Sequence, residues 1–418
     1  MKKEDYIIVQ DGAKLDEDNE VQFRQYLDYR DIRSNSKGNY INFVGFIFAN
    51  GKTLISFPKN YFATNELKQI NKELEEMDQH IKILYQLIKK CMGVRNQYLL
   101  EVKNELNHSY PFIPFLHVFE YFQNYGLFTI EDEIKKFGSH GRISWKDTFR
   151  KSPMIYNSGN ILYWPPVIRK RKNDFVFVSK CMSYVINSTL KKYKFLFDFH
   201  GVDLEYRDID FSNNKRILKK LYVVKQGLFK DIHIQLIEYL ISFFKNENYY
   251  GNKKAIKIYS FHLIWEEMVR ERLNSSFTNV DNINKRLNFD EQNVQQNRFN
   301  NHSFELDARR NSKEIKTYKI IPDYFYDTKN VRYIFDAKYY TTIEELDYKQ
   351  ISYYYLLKQY GGEAEEKDIY NALILPTSKE QWNKTHFQLD EVFSPGNKPL
   401  KIKEYYLNIQ WIINEYLK

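Results

Sequence analysis

The sequence predicts a multidomain chain of mixed α+β or α/β class, and three observations carry that expectation. Its 418 residues exceed what one core serves, since domains hold about 100–200 residues each. Two stretches far apart, 41–57 and 318–340, read as β-hairpins. Between and after them run amphipathic segments with the 3.6-residue period of helices.

Taken in order, Ile41–Phe57 is two β-rich runs broken by Asn50-Gly51, a strong short hairpin signal. Gly45 to Thr53 imitates a phosphate-binding loop, but five residues rather than four precede Gly51-Lys52-Thr53, and they are mostly apolar. Leu67, Ile70, Leu74, Met77, Ile81, Leu84 and Ile88 recur at spacings of three and four. They predict a three-heptad helix, either packed on its own domain or exposed as a stalk for a partner. Residues 125–150 read as short helices closed by a turn and a β-like edge, in the manner of a winged helix. Pro165-Pro166 marks a break, residues 228–244 an apolar helix, and 246–252 a linker. The Asn- and Gln-rich stretch 273–303 reads as a long loop. The division expected is an N-terminal DNA-recognition and partner-binding region over 1–225, either whole or broken near 160. A connecting helix and linker follow over 226–250, and a C-terminal domain over 251–418.

Composition excludes several classes. No apolar run reaches the roughly 18–20 residues of a membrane helix, and the first residues lack a secretory apolar segment, so a cytoplasmic protein is expected. Two cysteines support neither a disulfide framework nor a Cys-based zinc site. The nine histidines show no H-E-x-x-H spacing, and no G-x-S-x-G elbow occurs. The formal charge is +9, and the excess concentrates in 151–200. There Arg169, Lys170, Arg171, Lys172, Lys191 and Lys192 stand among aromatics, as a nucleic-acid surface requires; a solvated basic loop is the equal alternative.

Chemistry concentrates in Tyr318–Tyr360. Tyr318 to Asp327 is a β-run, 328–330 a turn, and Val331 to Tyr340 a second run. The period of two puts Asp336 and Lys338 on one face of that second strand, and a short antiparallel turn brings Asp323 opposite Asp336. Two carboxylates so placed repel unless a cation lies between them, and hard oxygens suit Mg²⁺ or Mn²⁺. Such an ion polarises a phosphodiester and activates water, while the Lys338 ammonium orients that water or stabilises charge on phosphorus. A helix over about 343–360, ended by Gly361-Gly362, presents Asp347, Gln350 and Tyr354 on one face. Gln350 is positioned to orient phosphate or water, and Tyr354 to contact the strand or DNA; plain packing is the alternative.

These motifs resemble the PD-(D/E)xK nuclease superfamily, with Asp323 and Asp336-x-Lys338 in its acidic and lysine positions and Gln350-x-x-x-Tyr354 similar to the helix of RecB-like members. The resemblance implies a mixed central sheet flanked by helices over 251–418. It also implies a further acidic residue on the first core helix, for which Trp265-Glu266-Glu267 offers Glu266, with Glu267 left open. More narrowly, Phe43-Val-Gly-Phe46, Leu54 to Lys59, Gly141 to Thr148, Ile320 to Asp323, Phe335 to Tyr340 and Asn371 to Pro376 resemble LlaJI-type, McrC-like restriction endonucleases. That likeness implies Mg²⁺-dependent cleavage of double-stranded DNA in antiviral defence, with a dimer for cutting both strands. It implies as partner a McrB-like AAA+ GTPase, which would supply the motor this chain lacks, and the helix near 67–88 is the candidate contact. The competing expectations are a repair or recombination nuclease and a non-catalytic DNA-binding adaptor.

Overall fold

The computed structural model describes residues 6–15, 24, 26–49, 52–63, 66, 74–93, 99, 101–102, 105, 110–157, 159–175, 177–193, 199–247, 255–281, 285–290, 298–299, 302–311, 314–358, 367–390, 392 and 399–418. It divides into two compact units, one built from residues 1–109 and 253–418, the other from 110–252. The expected N-terminal region 1–225 therefore contributes to both units.

The first unit opens with β1 (Tyr6–Gln10), β2 (Ile32–Asn35), β3 (Gly38–Ile41), β4 (Val44–Ala49) and β5 (Lys52–Phe57). The expected hairpin is present as β4 antiparallel to β5, with β1 parallel to β5 on its far side; residues 50 and 51 lie outside the described residues. β-branched and aromatic side chains in this run favour a pleated sheet, and Val44, Phe46, Leu54 and Ile55 are fully buried. α1 (Leu74–Gly93) follows. Its heptad face is internal: Met77, Ile81, Leu84 and Ile88 are each at most 3% exposed, and each buried aliphatic stabilises by roughly 1.5–3 kcal/mol. That is the packed helix of the two expected readings, with its apolar stripe committed to its own unit; residues 67–73 lie outside the described residues.

The second unit contains α2 (Phe112–Tyr125), β6 (Thr129–Phe137), β7 (Arg142–Ile143), α3 (Trp145–Lys151), β8 (Met154–Asn157), β9 (Asn160–Tyr163), β10 (Val167–Phe175), α4 (Phe177–Lys192), α5 (Asn214–Gln226) and α6 (Asp231–Glu247). α2 packs on α4 and α6 through an aromatic core in which the Tyr193 ring lies 5.1 Å from Tyr110 and 5.8 Å from Phe112. Within 125–150, expected as short helices with a β-like edge, the nine residues 129–137 form a strand, antiparallel to β10 over its whole length. The basic run Arg169–Lys172 lies within β10 rather than in a loop. α6 is bound into this unit by α2 and α5 and does not stand between domains. The helix α3 and the β8–β9 hairpin leave Trp145, Phe149, Met154, Tyr156, Ile161 and Leu162 more than half exposed.

The chain then returns to the first unit as β11 (Ala255–Ile258), antiparallel to β4. Gly45 permits this pairing, because it holds φ +135 and a Cβ there would meet the Ile256 carbonyl at 2.0 Å. The return is pinned by buried charge. Lys257 Nζ lies 2.6 Å from Asp31 Oδ2 and 3.3 Å from Asp28, the Tyr259 hydroxyl donates to Asp31 at 2.8 Å, and Glu105 accepts from the Tyr259 and Ser260 amides.

Next come α7 (Phe261–Ser276), β12 (Phe277–Val280), β13 (Leu287–Phe289), β14 (Phe304–Asn311), β15 (Glu314–Ile320), β16 (Tyr324–Asp327), β17 (Val331–Ala337), α8 (Tyr348–Lys358), β18 (Asp368–Thr377), β19 (Trp382–Gln388), β20 (Lys401–Asn408) and α9 (Ile409–Leu417). The stretch expected as a long loop thus contains the antiparallel pair β12–β13. A five-stranded sheet runs β16-β17-β18-β20-β19; its three central strands are parallel and both edge strands antiparallel. Strands covered on both faces read as near-continuous apolar runs, and Tyr333, Ile334 and Phe335 are accordingly all buried. α8 covers one face: Ile334 packs with Phe325, Tyr353 and Leu357. On the other, Phe335 meets Phe277, Phe299 and Tyr405. The fold class is therefore mixed α/β with a central mixed sheet, as expected. α9 closes the unit against α1 and α7.

Candidate active site

The β-run expected from Tyr318 to Asp327 is two strands, because β15 pairs with β14 and the chain breaks at Ile321-Pro322-Asp323. Pro322 has no amide to donate to a ladder, which favours such a break. Asp323 immediately precedes β16. The register Tyr324↔Phe335 carried one residue further sets Asp323 beside Asp336, and Asp323 Oδ2 accepts the Ala337 amide at 3.2 Å. The Asp336 side chain is 1% exposed. The Lys338 amide extends the β17–β18 ladder by donating to the Ile374 carbonyl at 2.9 Å. Its ammonium lies 2.5 Å from Asp336 Oδ2 and 3.3 Å from Asp347 Oδ2. The acid, acid and lysine proposed from sequence are thus brought together at the end of the central strand.

The helix begins at Tyr348, five residues later than expected, and its far end at 359–362 lies outside the described residues. Asp347 is therefore the residue before the helix: its Oδ1 accepts the Gln350 amide at 3.2 Å, the bond of an N-cap. One side chain consequently caps α8 and tethers Lys338. Gln350 is fully buried, and among the described residues neither polar atom of its side-chain amide has a hydrogen-bond partner. Tyr354 is buried with Leu373, Leu375 and Tyr406; the packing alternative describes it better than a DNA contact.

Glu266 and Glu267 share one cation. Arg270 reaches Glu266 Oε1 and Glu267 Oε2 at 2.8 Å each, and the Tyr324 hydroxyl donates to the Glu266 carbonyl at 2.7 Å. Among the described residues, no three His, Cys, Asp or Glu side chains are gathered into a metal-sized cluster. The Glu266 charge is felt at Asp323. Burial, a hydrogen bond and repulsion from Asp336, and repulsion from Glu266 push the Asp323 carboxyl up to about 8, against the attraction of Lys349.

Lys349 was not singled out from the sequence. Its Nζ lies 3.4 Å from Asp336 Oδ1, and its side chain is 50% exposed. Burial alone would lower its pKa, but the Asp336 carboxylate, the Tyr353 hydroxyl and Asp323 outweigh that and hold it above the usual value. Burial also opposes Lys338, and Asp336 and Asp347 more than offset it. The signal in the sequence was a lysine beside Gln350 at the helix start.

Of the basic surface candidates, Arg169 is exposed on β10, and the side chains of Lys170, Arg171 and Lys172 lie outside the described residues. Lys191 and Lys192 end α4, where cations complement the helix dipole. Lys192 is engaged, 3.7 Å from Glu247 and over the Tyr110 ring.

The donor set fits a hard divalent cation in its chemistry. Two carboxylates approach closely enough to share a proton, and desolvation raises one of them, the state expected of a pair whose repulsion a cation would relieve. Among the described residues no helix is long and apolar enough to cross a membrane.

The fold and site define a class: mixed α/β proteins that gather two carboxylates and a lysine at the end of a central strand, under a covering helix. Comparison supplies the family. The profile of the LlaJI restriction endonuclease family matches residues 43–390, and the chain belongs to that family. No curated protein matches. Among solved structures, it is similar to a chain of a refined half-complex from the tetradecameric assembly of Thermococcus gammatolerans McrB AAA+ hexamers with bound McrC. That similarity has 11% identity and a TM-score of 0.37, covering 99% of this chain and 98% of that one. A chain of the cryo-EM structure of the Thermococcus gammatolerans McrBC complex is similar at 12% identity and a TM-score of 0.25, over 64% of this chain and 88% of that one.

Proposed function

We propose that the chain is the Mg²⁺-dependent DNA endonuclease subunit of an anti-phage restriction system, with a PD-(D/E)xK-type site. The observation that carries this reading is the pairing of Asp323 with Asp336 beside Lys338. Asp323 and Asp336 would hold Mg²⁺ or Mn²⁺, which supplies charge neutralisation at the scissile phosphate and acidifies water. Lys338, held by Asp336 and Asp347, directs its ammonium at the attacked phosphate and stabilises the charge that develops there. Asp347 fixes that ammonium relative to α8. Gln350 orients phosphate or water once substrate brings partners to its amide, and the Glu266 carboxylate adds negative potential behind Asp323.

Double-stranded DNA is the substrate, and two copies of the site serve the two strands. The partner is a McrB-like AAA+ GTPase. Since the α1 stripe is consumed inside its own unit, the contact is better sought on the exposed apolar residues of α3 and the β8–β9 hairpin, a surface of the kind that marks interaction sites.

The test uses purified chain with its GTPase partner, GTP, Mg²⁺ and duplex DNA. Asp323→Ala, Asp336→Ala and Lys338→Ala should each lower cleavage by about 10²–10³-fold, the loss typical of removing one electrostatic contact to a transition state. Cleavage by Asp336→Ala at the wild-type rate would refute the assignment.

A further inference from the structure

Asp336 is nearly inaccessible, yet both its oxygens face ammonium groups: Lys338 at 2.5 Å from one and Lys349 at 3.4 Å from the other. Each oxygen of that carboxylate thus has an ammonium beside it, and an arriving divalent ion would be repelled by both, so the ion binds more readily once one lysine withdraws. The two are not equivalent. Lys338 is 22% exposed and has a second anchor in Asp347 at 3.3 Å. Lys349 is 50% exposed, its contact with Asp336 is long, and it stands in the first turn of α8. Half exposed and at that distance, Lys349 is held less tightly than Lys338, so its side chain leaves at the lower cost, and a long flexible stem keeps its charge nearby.

We propose that Lys349 is an exchangeable placeholder: it neutralises Asp336 in the metal-free protein, and on metal binding it moves to a phosphate of the bound DNA strand. It is a positioning residue for Asp336 in the first state and a DNA contact in the second. The proposal rests on the nuclease reading, which it deepens by naming the group that the metal displaces. It makes metal and DNA binding mutually reinforcing, since each favours the released lysine.

The experiment uses the full chain without its partner. Mn²⁺ binding to wild type, Lys349→Met, Lys349→Arg and Asp336→Asn is measured by titration calorimetry. Binding of a fluorescein-labelled duplex is measured in Ca²⁺ across a salt series. Lys349→Met should bind Mn²⁺ severalfold more tightly, because no ammonium competes, and DNA more weakly, with the slope of log affinity against log salt reduced by about 1. Lys349→Arg should restore the salt slope. Unchanged or weaker Mn²⁺ affinity in Lys349→Met, or an unchanged salt slope, would overturn the placeholder while leaving the nuclease reading intact. Mn²⁺ binding by Asp336→Asn equal to wild type would instead overturn the nuclease reading itself.

Discussion

Replacing Gln350 with Met separates what this residue costs the fold from what it does. The side chain is fully buried, and among the described residues both amide atoms lack hydrogen-bond partners. Leaving a buried polar group unsatisfied costs about 1–3 kcal/mol. A volume-conserving swap to an apolar side chain costs less than about 1.5 kcal/mol, so Gln350→Met should gain roughly 1 kcal/mol. With a urea slope of about 3 kcal/mol/M, the unfolding midpoint should rise by about 0.3 M. Cleavage by the same protein with its GTPase partner should fall by about 10–10²-fold, the scale of losing one substrate-positioning group. Stability would thus rise as activity falls, the trade expected where a polar group is held ready for a ligand. A variant that is less stable than wild type, or that is stabilised and still cuts at full rate, would refute the reasoning.

Three further outcomes follow from the same geometry. Asp323 is held near 8, above its unfolded value of 3.8, so its stabilising contribution is complete below the unfolded value and is lost as pH rises through about 8. Metal-free protein should therefore lose stability between about pH 4 and 8 in thermal denaturation, and Asp323→Asn should flatten that slope. Asp31→Ala would leave Lys257, whose side chain is 3% exposed, with only the longer contact to Asp28 at 3.3 Å; removing one partner of a buried pair costs up to about 3–5 kcal/mol, readable as a lowered denaturant midpoint. Gly45→Ala should destabilise by more than about 1 kcal/mol, because the backbone needs a positive φ and the Ile256 carbonyl occupies the methyl's place; an unchanged melting temperature would count against the β4–β11 pairing.

How far the sequence could be read depended on whether the deciding interaction was local. The pairing of Asp323 with Asp336 was legible, because a short turn fixes antiparallel register and the period of two fixes the face. The start of α8 was not, since 341–347 contains Ile, Leu and Glu at helix-compatible spacing, and only Asp347 capping the Gln350 amide says where the helix begins. β6 was misread because Thr129–Phe137 is rich in Glu and Lys, favourable in helices; pairing with β10 along all nine residues overrides that propensity. The joining of 1–109 to 253–418 was not legible, because β4 meets β11 across some two hundred residues, a non-local contact with no local signature. The role of Lys349 was hidden for the same reason as the helix start: only the Asp347 cap sets the first turn of α8 so that Lys349 reaches Asp336.

The discontinuity of the first unit bears on how the protein is made. The last strands of its central sheet, and α9 that closes on α1, are synthesised well after the inserted unit, which is complete by residue 252. On the ribosome the insert is thus free to fold first, while the amino-terminal strands wait for β11 and everything beyond it. A message truncated between residues 338 and 367 would yield β17 without β18, its parallel neighbour, so the sheet that carries Asp336 cannot be completed until well after the insert has left the ribosome.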